Sequence, residues 1–117
     1  MIFVGNDLVE VDRIRDIIEE RSERFLHRIF TPDEIDYCQK RVYPSIHFAG
    51  RFAAKEAVKK VLYAAGRKEP ILFRDIHIRR DPEGAPVVEL GSPDEKPQVS
   101  ISHTSRYAIA TAVMEVH

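Results

Sequence analysis

The spacing of apolar residues changes along the chain, and this change constrains the fold more than any other feature of the sequence. Between Asp12 and about Ile29 the apolar residues recur at helical spacing, which predicts one helix, or two short helices broken near Ser22. From Ile71 onwards apolar and polar residues alternate, which predicts β-strands. A chain that carries the two periods in separate segments is expected to form an α+β domain.

Helix-start and helix-stop residues set the boundaries of the middle section. The sequence TPDE, from Thr31, combines a capping hydroxyl, a proline at the first helical position and a glutamate that completes a capping box. It predicts a short helix that ends at about Lys40. Pro44 is expected to interrupt the helical section, and an alanine-rich second helix is predicted from Phe48 to Gly66, where the glycine ends it.

One strand is predicted before the helices and two strand pairs after them. The first covers MIFVGNDLVEV, with Gly5 expected to allow a bend and Asp7 expected at or near the strand end. The later pairs flank the turns DPEGAP and HTSR, and they are ILFRDIHIRR with VVEL and QVSIS with YAIATAVMEV. Ala108, Ala110 and Ala112 share one face of the last strand, where small side chains leave room for a close-packed helix.

Composition limits the classes of function. A length of 117 residues predicts one domain over 1–117, and 44% hydrophobic with 32% charged residues is typical of a globular chain. The formal net charge of -1 predicts no general nucleic-acid-binding or membrane-binding surface. Cys38 is the only cysteine, which excludes an internal disulfide. With no apolar run long enough to span a membrane and an acidic start unlike a secretory signal, a cytoplasmic location is expected.

Two carboxylates and a lysine predict a metal site that faces a phosphate group. Asp7 stands in an otherwise apolar strand and therefore needs a cation; the simpler alternative is a turn aspartate bonded to the backbone. Glu56 and Lys60 share a helix face, where the simpler alternative is an exposed ion pair. Asp7 and Glu56 would suffice as the protein ligands of magnesium, which keeps several waters and binds phosphate oxygens. Lys60, flanked by Arg51 or Lys55, would then contact that phosphate.

The segment SISHTS offers further phosphate ligands. His103 can donate to a phosphate or transfer a proton, and Ser102 and Thr104 offer hydroxyl and backbone donors. The simpler alternative for an isolated histidine is a structural hydrogen bond at a strand end. No zinc site is predicted, because the other histidines show no metal-ligand spacing: His27, His47, His77 and His117.

Arginines form a stripe on the first predicted helix. Arg21, Arg24 and Arg28 follow helical spacing, and Arg13 lies nearly on the same face if the helix is continuous. The stripe is either a docking surface for an acidic partner or an exposed face balanced by neighbouring glutamates. The charge pattern alone favours the balanced face.

Three segments, taken together, resemble a known family. VGNDLVEVDRI, GRFAAKEAVKKVL and VSISHTSRYAIATAVME look like the signature segments of the holo-acyl-carrier-protein synthases, the short bacterial type of 4′-phosphopantetheinyl transferase. Their order and spacing match, and the similarity covers essentially all 117 residues. The resemblance implies that family's fold, a helical section packed on an antiparallel sheet. It also implies a magnesium-dependent transfer of 4′-phosphopantetheine from coenzyme A to a serine of apo acyl carrier protein, in support of fatty acid biosynthesis.

The resemblance implies roles for individual residues. Asp7 and Glu56 match the metal-binding carboxylates, and Lys60 matches a lysine near the phosphates that is also considered in proton transfer. The residues on segments that line the coenzyme A site are Arg51, Lys60, Ser102, His103 and Thr104. The residues that match basic positions facing the acidic carrier protein are Arg13, Arg21 and Arg24. The resemblance thus reverses the preference for a balanced arginine face, and it implies a homotrimer with active sites between subunits.

The sequence leaves alternatives for the identity of the general base and for the class of function. A metal-bound water, Glu56 or Lys60 would each accept the serine proton, and the sequence gives no distances to choose among them. A non-catalytic module that binds acyl carrier protein would tolerate loss of Asp7 and Glu56. A different metal-dependent phosphohydrolase would keep both carboxylates without needing the arginine face.

Overall fold

A three-stranded antiparallel sheet packed against one long helix forms the centre of the computed structural model of the chain. The structure describes residues 1–117 apart from the side chain of Ser22. The elements are β1 (Ile2–Glu10), α1 (Val11–Ile29), α2 (Pro32–Gln39), α3 (Pro44–Ala64), β2 (His77–Arg80), β3 (Pro86–Glu89), β4 (Gln98–His103) and β5 (Tyr107–Glu115). The predicted α+β class is confirmed, and α1 is one continuous helix.

The strands form two separate antiparallel sheets. β5 lies between β1 and β4 in the main sheet, and β2 pairs only with β3. The predicted pairing of QVSIS with YAIATAVMEV and the predicted hairpin over DPEGAP are therefore confirmed. Among the described residues, no helix combines the length and the apolar character that crossing a membrane requires.

Helix α3 packs directly on the inner face of the main sheet. Ala108, Ala110 and Ala112 of β5 are fully buried, which confirms the expected close packing. A Cβ atom at Gly5 would lie 2.7 Å from the carbonyl oxygen of Ala57 in α3. Gly5 therefore allows the helix to approach the strand, and β1 continues through it to Glu10. Asp7, expected near the strand end, lies within β1 opposite Ala110 because pairing with β5 extends the strand to Glu10.

Capping interactions set the ends of α2 and α3. The capping box is confirmed, since Glu34 N donates to Thr31 Oγ1 and Thr31 N donates to Glu34 Oε1. Helix α3 begins at Pro44 and not at Phe48, because a proline in the first helical turn loses no intrahelical hydrogen bond. Gly66 follows α3 with φ of 111°, and Gly66 N and Arg67 N donate to the last turn.

The segment predicted as one long strand over ILFRDIHIRR is only partly extended. Its first half forms a 3-10 turn over Phe73–Asp75, and only His77–Arg80 pairs as a strand. Ile71 and Ile76 are buried at either side of the turn. The carbonyl oxygen of Phe73 accepts a hydrogen bond from the side chain of Lys55, which replaces a strand partner. The alternation of polar and apolar residues therefore predicted which side chains are buried, but it did not predict the conformation of the backbone.

Candidate active site

Asp7 and Lys60 meet where α3 crosses β1. The Asp7 side chain is 19% exposed, and its Oδ1 lies 3.3 Å from Lys60 Nζ. Lys60 Nζ also donates to the carbonyl oxygen of Asn6 at 2.8 Å. The prediction that Asp7 needs a cation is confirmed. The alternative ion pair between Glu56 and Lys60 is wrong, because the close approach of α3 at Gly5 brings the lysine to Asp7.

Glu56 lies one turn before Lys60 on α3 and is half-buried. Burial and the charge of Asp7 raise the pKa of the Glu56 carboxyl, and the cations Lys59 and Lys60 oppose the rise. The two carboxylates are thus close enough to repel each other, and a divalent cation between them would remove that repulsion. Magnesium binds one or two protein carboxylates together with waters and phosphate oxygens, so the residues fit that ion. The described residues hold no cluster of three or more histidine, cysteine or acidic ligands.

Lys55 does not belong to this site, contrary to the expectation that it flanks a phosphate. Its side chain is fully buried, and Nζ lies 2.6 Å from Glu34 Oε1. Nζ also donates to the carbonyl oxygens of Ile29 at 2.8 Å and Phe73 at 3.1 Å. Three protein oxygens therefore satisfy its three donors. Lys55 joins α1, α2 and the 3-10 turn to α3 and has no contact left for a ligand.

Arg51 and His103 line a second feature, a cation-rich cleft of about 270 Å³ beside α3. Arg51 is 6% exposed, and its Nε is buried without a hydrogen-bond partner. Its guanidinium carbon lies 4.2 Å from the centre of the Tyr37 ring. A buried cation in a cleft whose described lining contains no acidic side chain is suited to bind an anion there.

The cleft contains cationic residues that the sequence did not single out. Besides Arg51, Arg80 lines the cleft, with its guanidinium group 5.2 Å from the Tyr37 ring centre. Arg41 lies beside the cleft, with its guanidinium group 4.2 Å from the same ring centre. His47 also lines the cleft. These side chains come from α3, β2 and the loop between α2 and α3, and Tyr37 comes from α2, so no local spacing pattern could have grouped them.

The three residues of the SISHTS segment separate in space. His103 faces the cleft together with Ile101, whereas Ser102 lies on the opposite, exposed face of β4 because side chains alternate along a strand. Thr104 Oγ1 accepts hydrogen bonds from Arg106 N and Tyr107 N and so shapes the turn before β5. Only His103 is placed in the cleft.

The arginines predicted to face a partner are exposed on α1. Arg21, Arg24 and Arg28 border one surface depression with Phe25, and Arg13 is exposed nearer the start of the helix. Arg15, which lies outside the predicted set, pairs with neighbouring aspartates. Within the described residues, no ion pair joins Arg21 or Arg24 to the glutamates beside them, so their charges stay available.

Helix α3 links the carboxylate pair to the cleft. Arg51 and Glu56 are five residues apart, which corresponds to about 7.5 Å along a helix axis. Phosphate groups on one nucleotide lie at a comparable spacing. One helix therefore carries residues of both features, the carboxylate pair and the cleft.

Known proteins show the class to which this fold and site belong. A model of the 4′-phosphopantetheinyl transferase superfamily matches residues 3–112. The chain belongs to this family.

Individual relatives narrow the comparison to one kind of transferase. The holo-[acyl-carrier-protein] synthase of Protochlamydia amoebophila is 44% identical, over 94% of this chain and 94% of the relative. A crystal structure of the Helicobacter pylori holo-[acyl-carrier-protein] synthase in complex with coenzyme A superposes with a TM-score of 0.84 at 33% identity, covering 96% of this chain and 99% of that one. The Bacillus anthracis synthase, in complex with CoA (3′,5′-ADP), superposes with a TM-score of 0.83 at 32% identity, covering 98% of this chain and 96% of that one. The resemblance seen in the three sequence segments is thereby confirmed.

Proposed function

We propose that this protein transfers the 4′-phosphopantetheine arm of coenzyme A to a serine hydroxyl of apo acyl carrier protein. The products are holo acyl carrier protein and adenosine 3′,5′-bisphosphate. The observation that carries the proposal is the placement on one helix of Glu56 and Lys60, which face Asp7, beside a cleft that contains Arg51. Relatives of similar length are holo-acyl-carrier-protein synthases, and the structure of the one from Helicobacter pylori contains coenzyme A.

The carboxylate pair and the lysine would bind the pyrophosphate of coenzyme A. Asp7 and Glu56 would hold a magnesium ion, which when bound supplies positive charge to the pyrophosphate oxygens. Lys60 Nζ uses two protein oxygens, and its third donor would contact the phosphoryl group and stabilise its charge. A bond forms between the serine oxygen and the phosphorus, and the bond from that phosphorus to the bridging oxygen breaks. The serine proton passes to Glu56, Lys60 or a water molecule.

The cleft would bind the nucleotide half of coenzyme A. The buried cation Arg51 lines the cleft, and His103 offers a ring nitrogen in the same cleft. Thr104 shapes the adjoining turn and keeps its hydroxyl proton for a phosphate oxygen. Ser102, which is exposed on the other face of β4, would contact coenzyme A only across a subunit boundary.

The exposed arginines of α1 would orient the carrier protein. Arg13, Arg21 and Arg24 present positive charge on the helix surface, and the helices of acyl carrier protein are acidic. Complementary charge accelerates association and sets the orientation of the partner more than it adds affinity. The arginines would in this way direct the acceptor serine towards the carboxylate pair.

We further propose that the protein acts as a homotrimer in the cytoplasm, in support of fatty acid biosynthesis. The outer face of the main sheet supports the homotrimer, because large apolar side chains of β1 and β5 are exposed there. They are Ile2, Val4, Leu8, Ile109 and Val113. A contiguous apolar face of this kind is typical of an interface between subunits.

The test is incubation with coenzyme A, magnesium and apo acyl carrier protein, followed by mass spectrometry of the carrier. Addition of one phosphopantetheine arm is expected. Asp7→Asn and Glu56→Gln should remove the adduct while circular dichroism stays unchanged, and removal of magnesium by a chelator should do the same. Glu69→Gln, a matched change in the exposed loop after α3, should transfer like the parent protein.

Three outcomes would contradict the proposal. Hydrolysis of coenzyme A without an adduct would indicate a phosphohydrolase. Tight binding of the carrier without an adduct would indicate a non-catalytic module. Full magnesium-dependent transfer by Asp7→Asn or Glu56→Gln would remove the carboxylate pair from the reaction.

A further inference from the structure

His47 lies inside the cation-rich cleft, one helical turn before Arg51 on α3. The centre of its ring is 6.1 Å from that of His103 and 5.9 Å from that of Tyr37, in edge-to-face arrangements with both. Two imidazoles therefore stand beside the arginine whose Nε lacks a partner. A phosphate group between these side chains would find donors from both imidazoles and from the guanidinium group.

The groups around His47 are cationic or neutral. They come from α2 and the residues just after it, α3, β2 and β4, and they are Tyr37, Arg41, Arg51, Arg80 and His103. Among the described residues, no acidic side chain lines the cleft. By contrast, three other histidines each pair with a glutamate: His27, His77 and His117. The cleft thus concentrates positive charge without a protein counter-ion.

This environment makes the charge of His47 depend on whether an anion is bound. Burial, followed by the charges of Arg51, His103 and Arg41, lowers the pKa of His47 from its ordinary value of 6.5. The side chain is therefore neutral in the free protein at pH 7. A dianion bound between the same groups would offset the cations and favour the imidazolium form, so the pKa would rise on binding.

We propose that His47, beside Arg51 and His103, binds the phosphomonoester of the nucleotide half of coenzyme A and takes up a proton from solvent as that group binds. The inference rests on the proposed function, because coenzyme A is the ligand that brings a phosphomonoester dianion together with a pyrophosphate. Affinity for coenzyme A then increases as the pH falls from about 8 towards 6.5. The increase stops near pH 6, where the phosphate itself binds a proton.

The test is isothermal titration of the protein with coenzyme A, without metal, at several pH values between 6.5 and 8. Each pH is measured in two buffers with different ionisation enthalpies, which gives the number of protons taken up. The parent protein should take up as much as about one proton and lose affinity by about three- to tenfold across this range. Dephospho-coenzyme A, which lacks the phosphomonoester, should bind without proton uptake.

His47→Gln should remove most of the proton uptake and should weaken binding more at pH 6.5 than at pH 8. His47→Asn should behave in the same way, and thermal unfolding of both variants checks that the fold is retained. His27→Gln is the matched control, because His27 is exposed on α1 and paired with Glu23, and it should bind like the parent protein.

Proton uptake that persists in both His47 variants would overturn the inference. So would uptake that disappears only in His103→Gln, or uptake that is equal for dephospho-coenzyme A. The transfer assay on the parent protein distinguishes the two proposals: transfer without a His47-dependent uptake overturns this inference alone, whereas absence of transfer overturns the proposed function.

Discussion

Two lysines on α3 show how one helix serves stability and ligand binding at neighbouring positions. Lys55 is fully buried, and its ammonium group contacts Glu34 and the carbonyl oxygens of Ile29 and Phe73. Lys60 is about half-exposed, and its ammonium group contacts Asp7 and the carbonyl oxygen of Asn6. Both lysines thus form an ion pair with a carboxylate, in surroundings that differ in burial and in the number of acceptors.

The difference lies in whether the protein alone satisfies the charges. Around Lys55 it does, because Glu34 also accepts hydrogen bonds from Thr31 N and Ile78 N. Around Lys60 one donor is left, and Asp7 and Glu56 repel each other. Charges that protein groups fully satisfy hold the helices and strands together, whereas charges without a full set of partners give the site affinity for a ligand.

The largest effect is expected when the buried ion pair between Lys55 and Glu34 is broken. Lys55→Met leaves Glu34 buried without its cation and the carbonyl oxygens of Ile29 and Phe73 without a donor. The free energy of unfolding should fall by about 3–5 kcal/mol, the usual result of breaking a buried pair. Unfolding in urea measures the loss.

The double variant Lys55→Met with Glu34→Gln sharpens this prediction. It removes both charges, and the glutamine keeps a carbonyl oxygen for a backbone donor. We expect the double variant to be more stable than Lys55→Met alone. A loss below about 1 kcal/mol for Lys55→Met would show that the buried pair does not hold the elements together.

The same substitution at Lys60 should have little effect on stability and a large effect on transfer. Lys60→Met removes an ion pair that solvent reaches, so stability should change by less than about 1 kcal/mol. Transfer should fall by about 100-fold or more, because the variant loses a cation that stabilises the transferred phosphoryl group. Urea unfolding and the mass-spectrometric assay on one preparation test both expectations. Equal stability loss at positions 55 and 60, or full transfer by Lys60→Met, would contradict the comparison.

Residues with local signals were predicted correctly from the sequence. The capping box at Thr31, the glycine stop at Gly66 and the alanine face of β5 each depend on residues close together in the chain. The need of Asp7 for a cation followed from the cost of burying a charge, and Lys60 supplies that cation. These predictions required only spacing and solvation.

Contacts that depend on packing could not be predicted in this way. Lys55 and Glu56 are adjacent in the sequence, and periodicity alone did not show which of them turns inward to Glu34. The position of Asp7 within β1 depends on pairing with β5, about 100 residues later in the chain. The cleft joins side chains from four parts of the chain, so Tyr37 and His47 carried no signal.

A smaller effect is expected at the arginine face, where the charges are exposed. Arg24→Glu should raise KM for acyl carrier protein by several-fold at low salt, with kcat and KM for coenzyme A nearly unchanged. This increase in KM should become smaller as salt is added, because at 0.1 M salt the interaction between surface charges is screened beyond about 10 Å. Lys96→Glu, the same charge reversal in the exposed loop before β4, is the control. An unchanged KM for the carrier protein would show that Arg24 does not contribute to the docking surface.

The smallest effect is expected at the carboxylate pair, where removing the charge of Glu56 should increase the stability of the fold. The raised pKa of Glu56 means that the folded protein favours the protonated carboxyl. Below its ordinary value of 4.5 the group is protonated in both states, and stability is lost as the pH rises through the raised value. Glutamine has no proton to lose. Without magnesium, Glu56→Gln should therefore match the parent protein near pH 4 and become more stable towards pH 7, by less than about 1 kcal/mol because the side chain is only half-buried. Thermal unfolding across this pH range measures the difference, and a variant that is less stable at pH 7 would mean that attraction by Lys59 and Lys60 outweighs repulsion by Asp7.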